Sequence, residues 1–413
     1  MDILARARPL EALESVELLD SLGRVLARDV FSDVDLPPFQ KSAMDGFAVH
    51  SADFEGLPED SGDGADVPAT ALKVLGESRA GVPYGRAVEA GTCVAIYTGA
   101  EVPEGCDAVV MVEKSTREGA NVHLRDRPRE GQNVCNRGED LASGARALAA
   151  PRRLGAADLS VLAAVGCTPV PVFRRPRVSI LTTGDELVGV DERPGPGQIR
   201  EGNTLHLAAL ALSAGADVRE VARVPDQPDV LRERFGAALE HSDVVITTGG
   251  VSAGKYDLVA EAFQDLGVEE VFHKVAIKPG KPIWFGTRGD TLVFGLPGNP
   301  VSCLVTQEVF VRGAIAKLGG APPEEWAERL RRGRWCGPDL GPHPRQRNLP
   351  VTIEQAADGV DDLHRVRWSS SADIVGLTAA AGMVVIPAGE GLSAGAIASF
   401  RPLGHSSFHT AGA

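Results

Sequence analysis

Apolar positions near the start of the chain recur at helical spacing. Leu10, Leu13, Val16, Leu19 and Leu22 fall on one stripe, with Leu18 and Val25 beside it. The pattern predicts an amphipathic helix that Gly23 stops. From about Val25 to Leu141 the period changes to short apolar runs broken by Gly and Pro, among them VLARDVF, CVAIYTGA and DAVVMVE. These predict the strands of a β-rich module. Inside it, EGLPEDSGDGADVPAT is acidic and rich in turn residues, and reads as a mobile loop. From about Pro176 to Gly319 strand and helix patterns alternate. RVSILTTG, DVREVARV and DVVITTGG read as strands. NTLHLAALALSAG reads as a helix capped by Asn203 and stopped by Gly215, and DQPDVLRERFGAALEHS as a second with Asp226 at its cap. PVSCLVTQEVFVRGAIAKLG closes the block as one long helix. Such alternation predicts βαβ units and a parallel sheet covered on both faces. From about Leu330 short strands return, GMVVIPAG and AIASFRP among them, and predict a small β-barrel or sandwich.

At 413 residues the chain is too long for one ordinary domain. An apolar fraction of 43% suffices for real cores, but aromatics at 5% leave much of the packing to Ala, Val and Leu. The 47 glycines and 28 prolines favour turns and short strands over a helical bundle. A net charge of −14 argues against a nucleic-acid or membrane-surface binder, although a local basic patch still suits a small anion. Cys93, Cys106, Cys135, Cys167, Cys303 and Cys336 stand apart with no C-x-x-C spacing, and read as free thiols in a reducing compartment. No His/Cys group has zinc spacing, and His405 and His409 carry no assigned role. The opening MDILARARPLEAL has no apolar h-region, and no run approaches bilayer length, so a soluble, cytoplasmic protein is expected.

Candidate chemistry gathers at strand ends of the alternating block, where open parallel sheets bind ligands. Thr182-Thr183-Gly184-Asp185-Glu186 follows RVSIL. Its carboxylates suit a hard divalent cation, or serve as acids near a helix start. Thr247-Thr248-Gly249-Gly250-Val251-Ser252-Ala253-Gly254 follows DVVI, and its glycines let backbone N–H groups approach a phosphate. Asp257 comes next, as a cap or a metal ligand. In HKVAIKPGKP, Lys274 and Lys278 share a face if the segment is extended, and a Pro-Gly turn redirects Lys281 to the same place. Three ammonium groups there would answer an anionic substrate. Leu296-Pro297-Gly298-Asn299-Pro300 makes a helix start whose free N–H groups favour an anion. In the β-rich module, LPPFQKSAMDGFA (residues 36–48) reads as a rigid loop ending at Asp45. Thr98-Gly99-Ala100 and Arg137-Gly138-Glu139-Asp140 add a hydroxyl and carboxylates.

Seven segments, LPPFQKSAMDGFAV, TGAEVPEGCDAVVMVE, GQNVCNRGEDL, SILTTGDEL, TTGGVSAGKYD, VAIKPGKP and FGLPGNPVS, together resemble the molybdopterin molybdenumtransferase family, which includes bacterial MoeA and the gephyrin E-domain. They keep the family's order from residue 36 to 302. The resemblance implies an elongated, multi-domain α/β plus β subunit. It would hold a helical linker region (1–26 and 142–175), a β-rich module (27–141), a molybdopterin-binding-like α/β domain (176–326) and a C-terminal β-barrel (327–413). It also implies a homodimer whose active sites are shared between subunits. The implied reaction converts adenylylated molybdopterin and molybdate to molybdenum cofactor with release of AMP, assisted by Mg²⁺ or another divalent cation. Carried over position by position, Asp45, Thr98, Asp140, Glu186, Asp226, Lys274 and Lys278 are the implied catalytic set, and Glu186 and Asp257 the metal ligands. Gly249, Gly250, Ser252, Lys281, Pro297, Gly298, Asn299, Arg347 and Ser371 would bind substrate. The dithiolene sulfurs belong to the pterin, so no protein cysteine is required.

Three departures touch substrate detail. Arg200-Glu201-Gly202-Asn203 stands where the family often has Tyr-Asp-Ser-Asn, Lys255 where many members carry Glu, and Ser369-Ser370-Ser371-Ala372-Asp373 lacks the usual Gly. Two rival readings remain. A molybdopterin adenylyltransferase has a related α/β domain but is about one domain long. A non-catalytic pterin-binding scaffold would not need the carboxylate and lysine set.

Overall fold

The computed structural model describes residues 2–55, 69–250, 258–367 and 370–404. Most of the acidic loop (56–68), Ser252, Lys255, Asp257, Ser369, His405 and His409 lie outside the described residues. The chain forms two compact units, one of residues 1–28, 150–159 and 169–413, the other of residues 29–149 and 160–168.

The second unit is built on a six-stranded sheet. Its strands run in the order Ala108–Met111, Gly46–Val49, Thr92–Ile96, Thr70–Ser78, Asn121–Leu124 and Ser115–Glu118. Phe47, Val49, Phe54, Leu72, Val110, Val122 and Leu124 fill one of its cores. Gly46 enters this sheet where a Cβ would stand 1.9 Å from the Val110 carbonyl oxygen, so only glycine lets the loop that precedes it pass into a central strand.

The first unit contains the expected parallel sheet. Its order is Asp217–Val224, Arg177–Thr183, Val244–Thr248, Thr291–Leu296, Trp284–Arg288 and Glu269–His273. The first four strands are parallel; Trp284–Arg288 runs antiparallel to Thr291–Leu296, and Glu269–His273 antiparallel to Trp284–Arg288. Side chains alternate between two cores. Val244 and Ile246 pack with Leu207 and Ala211 of the helix Asn203–Ser213, while Val245 packs with Leu231 and Phe235 of the helix Pro228–His241. Burial on both faces explains why these strands are apolar runs rather than alternating ones. The closing helix runs from Pro300 to Leu318, with a π-type turn at Gln307–Val311.

Downstream, five strands close on themselves. Gln346–Gln355 pairs with Asp361–Arg365, which pairs with Arg331–Trp335; Ile397–Pro402 and Gly382–Ile386 complete the ring back to Gln346–Gln355. Trp335, Val351, Leu363 and Phe400 are fully buried inside this barrel. Among the described residues no helix is long and apolar enough to cross a membrane.

Three local expectations are corrected. The stripe from Leu10 to Leu22 is not a helix. Asp2–Arg6 is helical, Leu13–Val16 is a strand paired antiparallel to Val170–Phe173, and Leu19–Ser21 is a single 3₁₀ turn. LESV also alternates, and four residues cannot separate the two periods, so the pairing with the buried Val170 and Val172 decides. Asn203 is not the cap of its helix. Gly202 holds that position, and the Glu201 carboxylate accepts the Thr204 N–H at 3.0 Å. Asp226 is likewise displaced by Gln227, because Pro228 supplies the first helical residue.

Candidate functional site

The strand Arg177–Thr183 and its neighbour Val244–Thr248 are followed by helices on opposite faces of the sheet. Their carboxyl ends therefore open a crevice at the switch in strand order. Thr182, Thr183, Thr247 and Thr248 line its floor and are buried. Gly249 (φ +91°) and Gly250 (φ +65°) turn the chain there, and a Cβ on Gly249 would lie 2.2 Å from the Thr183 carbonyl oxygen. The Thr183 hydroxyl is buried with no hydrogen-bond partner among the described residues. From the next strand, the Gly298 carbonyl accepts from Asn203 Nδ2 at 2.6 Å, and Pro297 O accepts from the Thr248 hydroxyl at 3.3 Å. Gly249, Gly250, Pro297 and Gly298 thus meet at one place, as their strand-end positions imply.

Carboxylates gather beside them. Burial pushes the Asp226 carboxyl up, and the negative charges of Asp185 and Glu186 push it the same way. Glu186 and Asp226 are therefore near neighbours, and Asp185 belongs with them.

A cavity of about 570 Å³ opens where the Pro279-Gly280-Lys281 turn meets the barrel. Lys278, Lys281, Arg345, Arg347 and Arg365 line it, with Ser302, Ser370 and Ser371. The segment Ile277–Lys278 pairs in parallel with Gln346–Arg347, which fixes two of the cations. Arg347 is only 9% exposed; it donates to the carbonyls of Gly341 (2.9 Å) and Glu390 (3.1 Å), and its Nε has no partner among the described residues. Asn299 Nδ2 donates to the Ser371 hydroxyl at 2.8 Å, and the Val301 N–H to Ser371 O at 3.1 Å. Lys274 is a correction: it does not line this cavity with Lys278 and Lys281. Its φ of +69° ends the strand after His273, so the segment is not extended and the period-two argument fails.

In the second unit, Asp45 Oδ1 accepts both the N–H and the hydroxyl of Thr98, each at 2.7 Å. These two hydrogen bonds, the backbone one first, hold the Asp45 carboxyl below its usual range. Asp140 is exposed on a loop whose backbone pairs with Leu36, at the head of the same rigid segment.

Sequence reasoning assigned no role to Arg345, Arg365, Ser302 or Ser370. For Arg345 a signal existed, since it stands two residues from Arg347 and in an extended chain shares its face.

Residues 1–166 match the family model described as the MoeA N-terminal region (domain I and II), and residues 179–317 match a probable molybdopterin binding domain. A molybdopterin molybdenumtransferase of Nostoc sp. is 36% identical over 91% of this chain and 85% of its own. That of Haemophilus influenzae is 36% identical over 76% of this chain and 77% of its own. A crystal structure of a molybdopterin biosynthesis MoeA protein from Pyrococcus horikoshii superposes with a TM-score of 0.81 at 28% identity, covering 97% of both chains.

Proposed function

The chain belongs to the molybdopterin molybdenumtransferase family, and from that premise we propose how its own residues carry the reaction. It is a transferase of molybdenum cofactor biosynthesis. Its substrates in this reading are adenylylated molybdopterin and molybdate, and its products molybdenum cofactor and AMP.

The observation that carries the reading is the cavity with five cationic side chains in a protein of net charge −14. Lys278, Lys281 and Arg347 present N–H donors from fixed backbone, and Ser302 and Ser371 stand beside them. That donor set suits a tetrahedral oxyanion, and this supports our assignment of molybdate to the cavity. The crevice takes the pyrophosphate end of the nucleotide-bearing pterin. Gly249, Gly250, Pro297, Gly298 and Asn299 supply close backbone approach, and the unpaired Thr183 hydroxyl supplies a donor. Ser252 is part of the same proposal.

The carboxylates fit a divalent cation such as Mg²⁺, because the Asp226 charge is disfavoured by burial and then by Asp185 and Glu186, and a bound counter-charge offsets both. Glu186 and Asp226 would hold it, with Asp257. When bound, it would neutralise charge on the phosphoanhydride oxygens. The protein's own part is to orient the nucleotide against the glycine turns and hold the oxyanion, so that the reacting groups meet without a search. We further assign Asp45, Thr98 and Asp140 to the same site, supplied by a second copy of the chain. Leu205 and Leu212, exposed on one stripe of the helix Asn203–Ser213, support a homodimer by offering an apolar face. The four-part division of the chain and a cytosolic location belong to this reading too.

Single-turnover conversion of adenylylated molybdopterin with molybdate and Mg²⁺ tests it. Molybdate-dependent AMP release with active cofactor is expected. Tight pterin binding without turnover would sink it, as would adenylylated product formed from ATP and molybdopterin alone.

A further inference from the structure

The outer face of the C-terminal barrel carries a second concentration of chemistry. Leu363 points into the barrel core and is fully buried, so Asp362 and His364 on either side of it face outward. The neighbouring strand Arg331–Trp335 runs parallel to Asp361–Arg365, with Arg334 opposite Asp362 and Trp335 opposite Leu363. The next residue, Cys336, donates its N–H to Leu363 O at 2.9 Å and so arrives beside His364. Cys336 is the exposed one of the six cysteines. A thiol, a carboxylate and an imidazole thus meet, with one donor atom of each within 4.8 Å of the others.

Their surroundings add to this. Arg334 Nη1 donates to Asp362 Oδ1 at 3.0 Å, which fixes that carboxylate and leaves its second oxygen for another partner. Glu354, on the strand across from His364, places Oε2 3.5 Å from His364 Nε2. A carboxylate on one ring nitrogen is the arrangement that orients a histidine whose other nitrogen binds a metal.

We propose that Cys336, Asp362 and His364 form a binding site for a thiophilic divalent ion of the Zn²⁺ class, distinct from the oxygen-ligand site of the crevice. Sulfur, nitrogen and oxygen donors in one set select Zn²⁺ or Co²⁺ over Mg²⁺. Bonds of about 2.0–2.3 Å place tetrahedral donors roughly 3.5 Å apart, a spacing that an exposed Cys336 and the half-buried Asp362 and His364 reach by small rotations. On binding, the Cys336 thiol releases its proton to solvent and the sulfur becomes a thiolate ligand. Three protein ligands leave the fourth position to water.

Co²⁺ titration of the intact protein tests the site. One equivalent should develop a thiolate-to-cobalt charge-transfer band, which a carboxylate site in the crevice cannot give. The band should vanish in Cys336→Ser and persist in Cys135→Ser. Cobalt affinity should fall at least about tenfold in His364→Ala, and by a similar factor in Glu354→Gln through loss of ring orientation. Because none of these side chains belongs to a buried core, thermal melts should stay nearly unchanged in all four variants. Absence of the band in the wild type, or its survival in Cys336→Ser, overturns the proposal.

Discussion

Lys278 and Arg347 are partners across a parallel strand pairing, so one cation of the Pro-Gly-Lys turn and one of the barrel are held at the mouth of the same cavity. Arg347 is the more constrained. Nearly buried, it donates only to carbonyl oxygens and has no carboxylate partner among the described residues. A desolvated guanidinium in that state is poised for an anion.

Arg347→Ala should therefore weaken molybdate binding. A hydrogen bond to a charged group contributes about 1.5–3 kcal/mol, or roughly 10–100-fold in affinity. Arg347→Lys should recover only part of this, since a point charge does not replace a planar fork. The molybdate dependence of single-turnover cofactor formation measures both. An unchanged dependence in Arg347→Ala would remove the oxyanion from this cavity.

Asp45 and Thr98 make a second testable pair. The carboxyl is held low by the Thr98 N–H first and its hydroxyl second. A depressed folded-state value means that its favourable contribution is present above the ordinary carboxylate range and is lost as pH falls through the lowered value. Thr98→Val removes the hydroxyl and keeps the backbone donor. Carboxyl NMR titration should show Asp45 moving up in this variant while staying below its ordinary range. Turnover should fall further in Asp45→Asn, where the charge itself is gone. A Thr98→Val carboxyl that titrates as in the wild type would show that the hydroxyl plays no part.

Much of the α/β sheet was legible because its central strands are apolar on both faces, and two of them, Arg177–Thr183 and Val244–Thr248, run into Gly184 and Gly249. The strand-end motifs located Glu186, Gly249 and Gly298 for the same reason. What was not legible depends on contacts between distant segments. Leu13–Val16 became a strand because Val170–Phe173 lies beside it, which no local spacing reveals. Lys274 left the lysine group because a single left-handed residue redirects the chain. Arg365 reached the cavity, and Cys336 reached His364, only through the register of the closed barrel. That register is also why zinc spacing was absent from the sequence while three donor side chains converge in space.

Gly249 offers a test of the crevice through stability. Its φ of +91° already disfavours any side chain, and a Cβ would press on the Thr183 carbonyl at 2.2 Å. Gly249→Ala should cost about 1–3 kcal/mol from backbone strain alone, with the clash added. Urea denaturation should show a lower midpoint. Gly267→Ala, also at positive φ but with open space around its Cβ position, should show the strain without the clash. Equal midpoints for the two variants would mean that the Gly249 turn is not the tight approach described.

Asp226 links the carboxylate group to pH and to the cation. Its value is raised by burial first and by Asp185 and Glu186 next, so the folded state holds this proton more tightly than the unfolded chain. The sign follows: without a divalent ion, Asp226 favours the folded state below the ordinary carboxylate range, and that advantage is lost as pH rises through the raised value. Above the raised value the group carries a charge that burial and its neighbours disfavour. Mg²⁺ should then raise Tm, because an ion that binds the folded state alone shifts the equilibrium towards it. Asp226→Asn should raise the Mg²⁺-free Tm at a pH above the raised value and shrink the Mg²⁺-dependent gain. Glu186→Gln should do the same to a smaller degree. Differential scanning calorimetry with and without Mg²⁺ at neutral and acidic pH separates these effects. A Mg²⁺-dependent gain that is equal in the wild type and both variants would place the cation elsewhere.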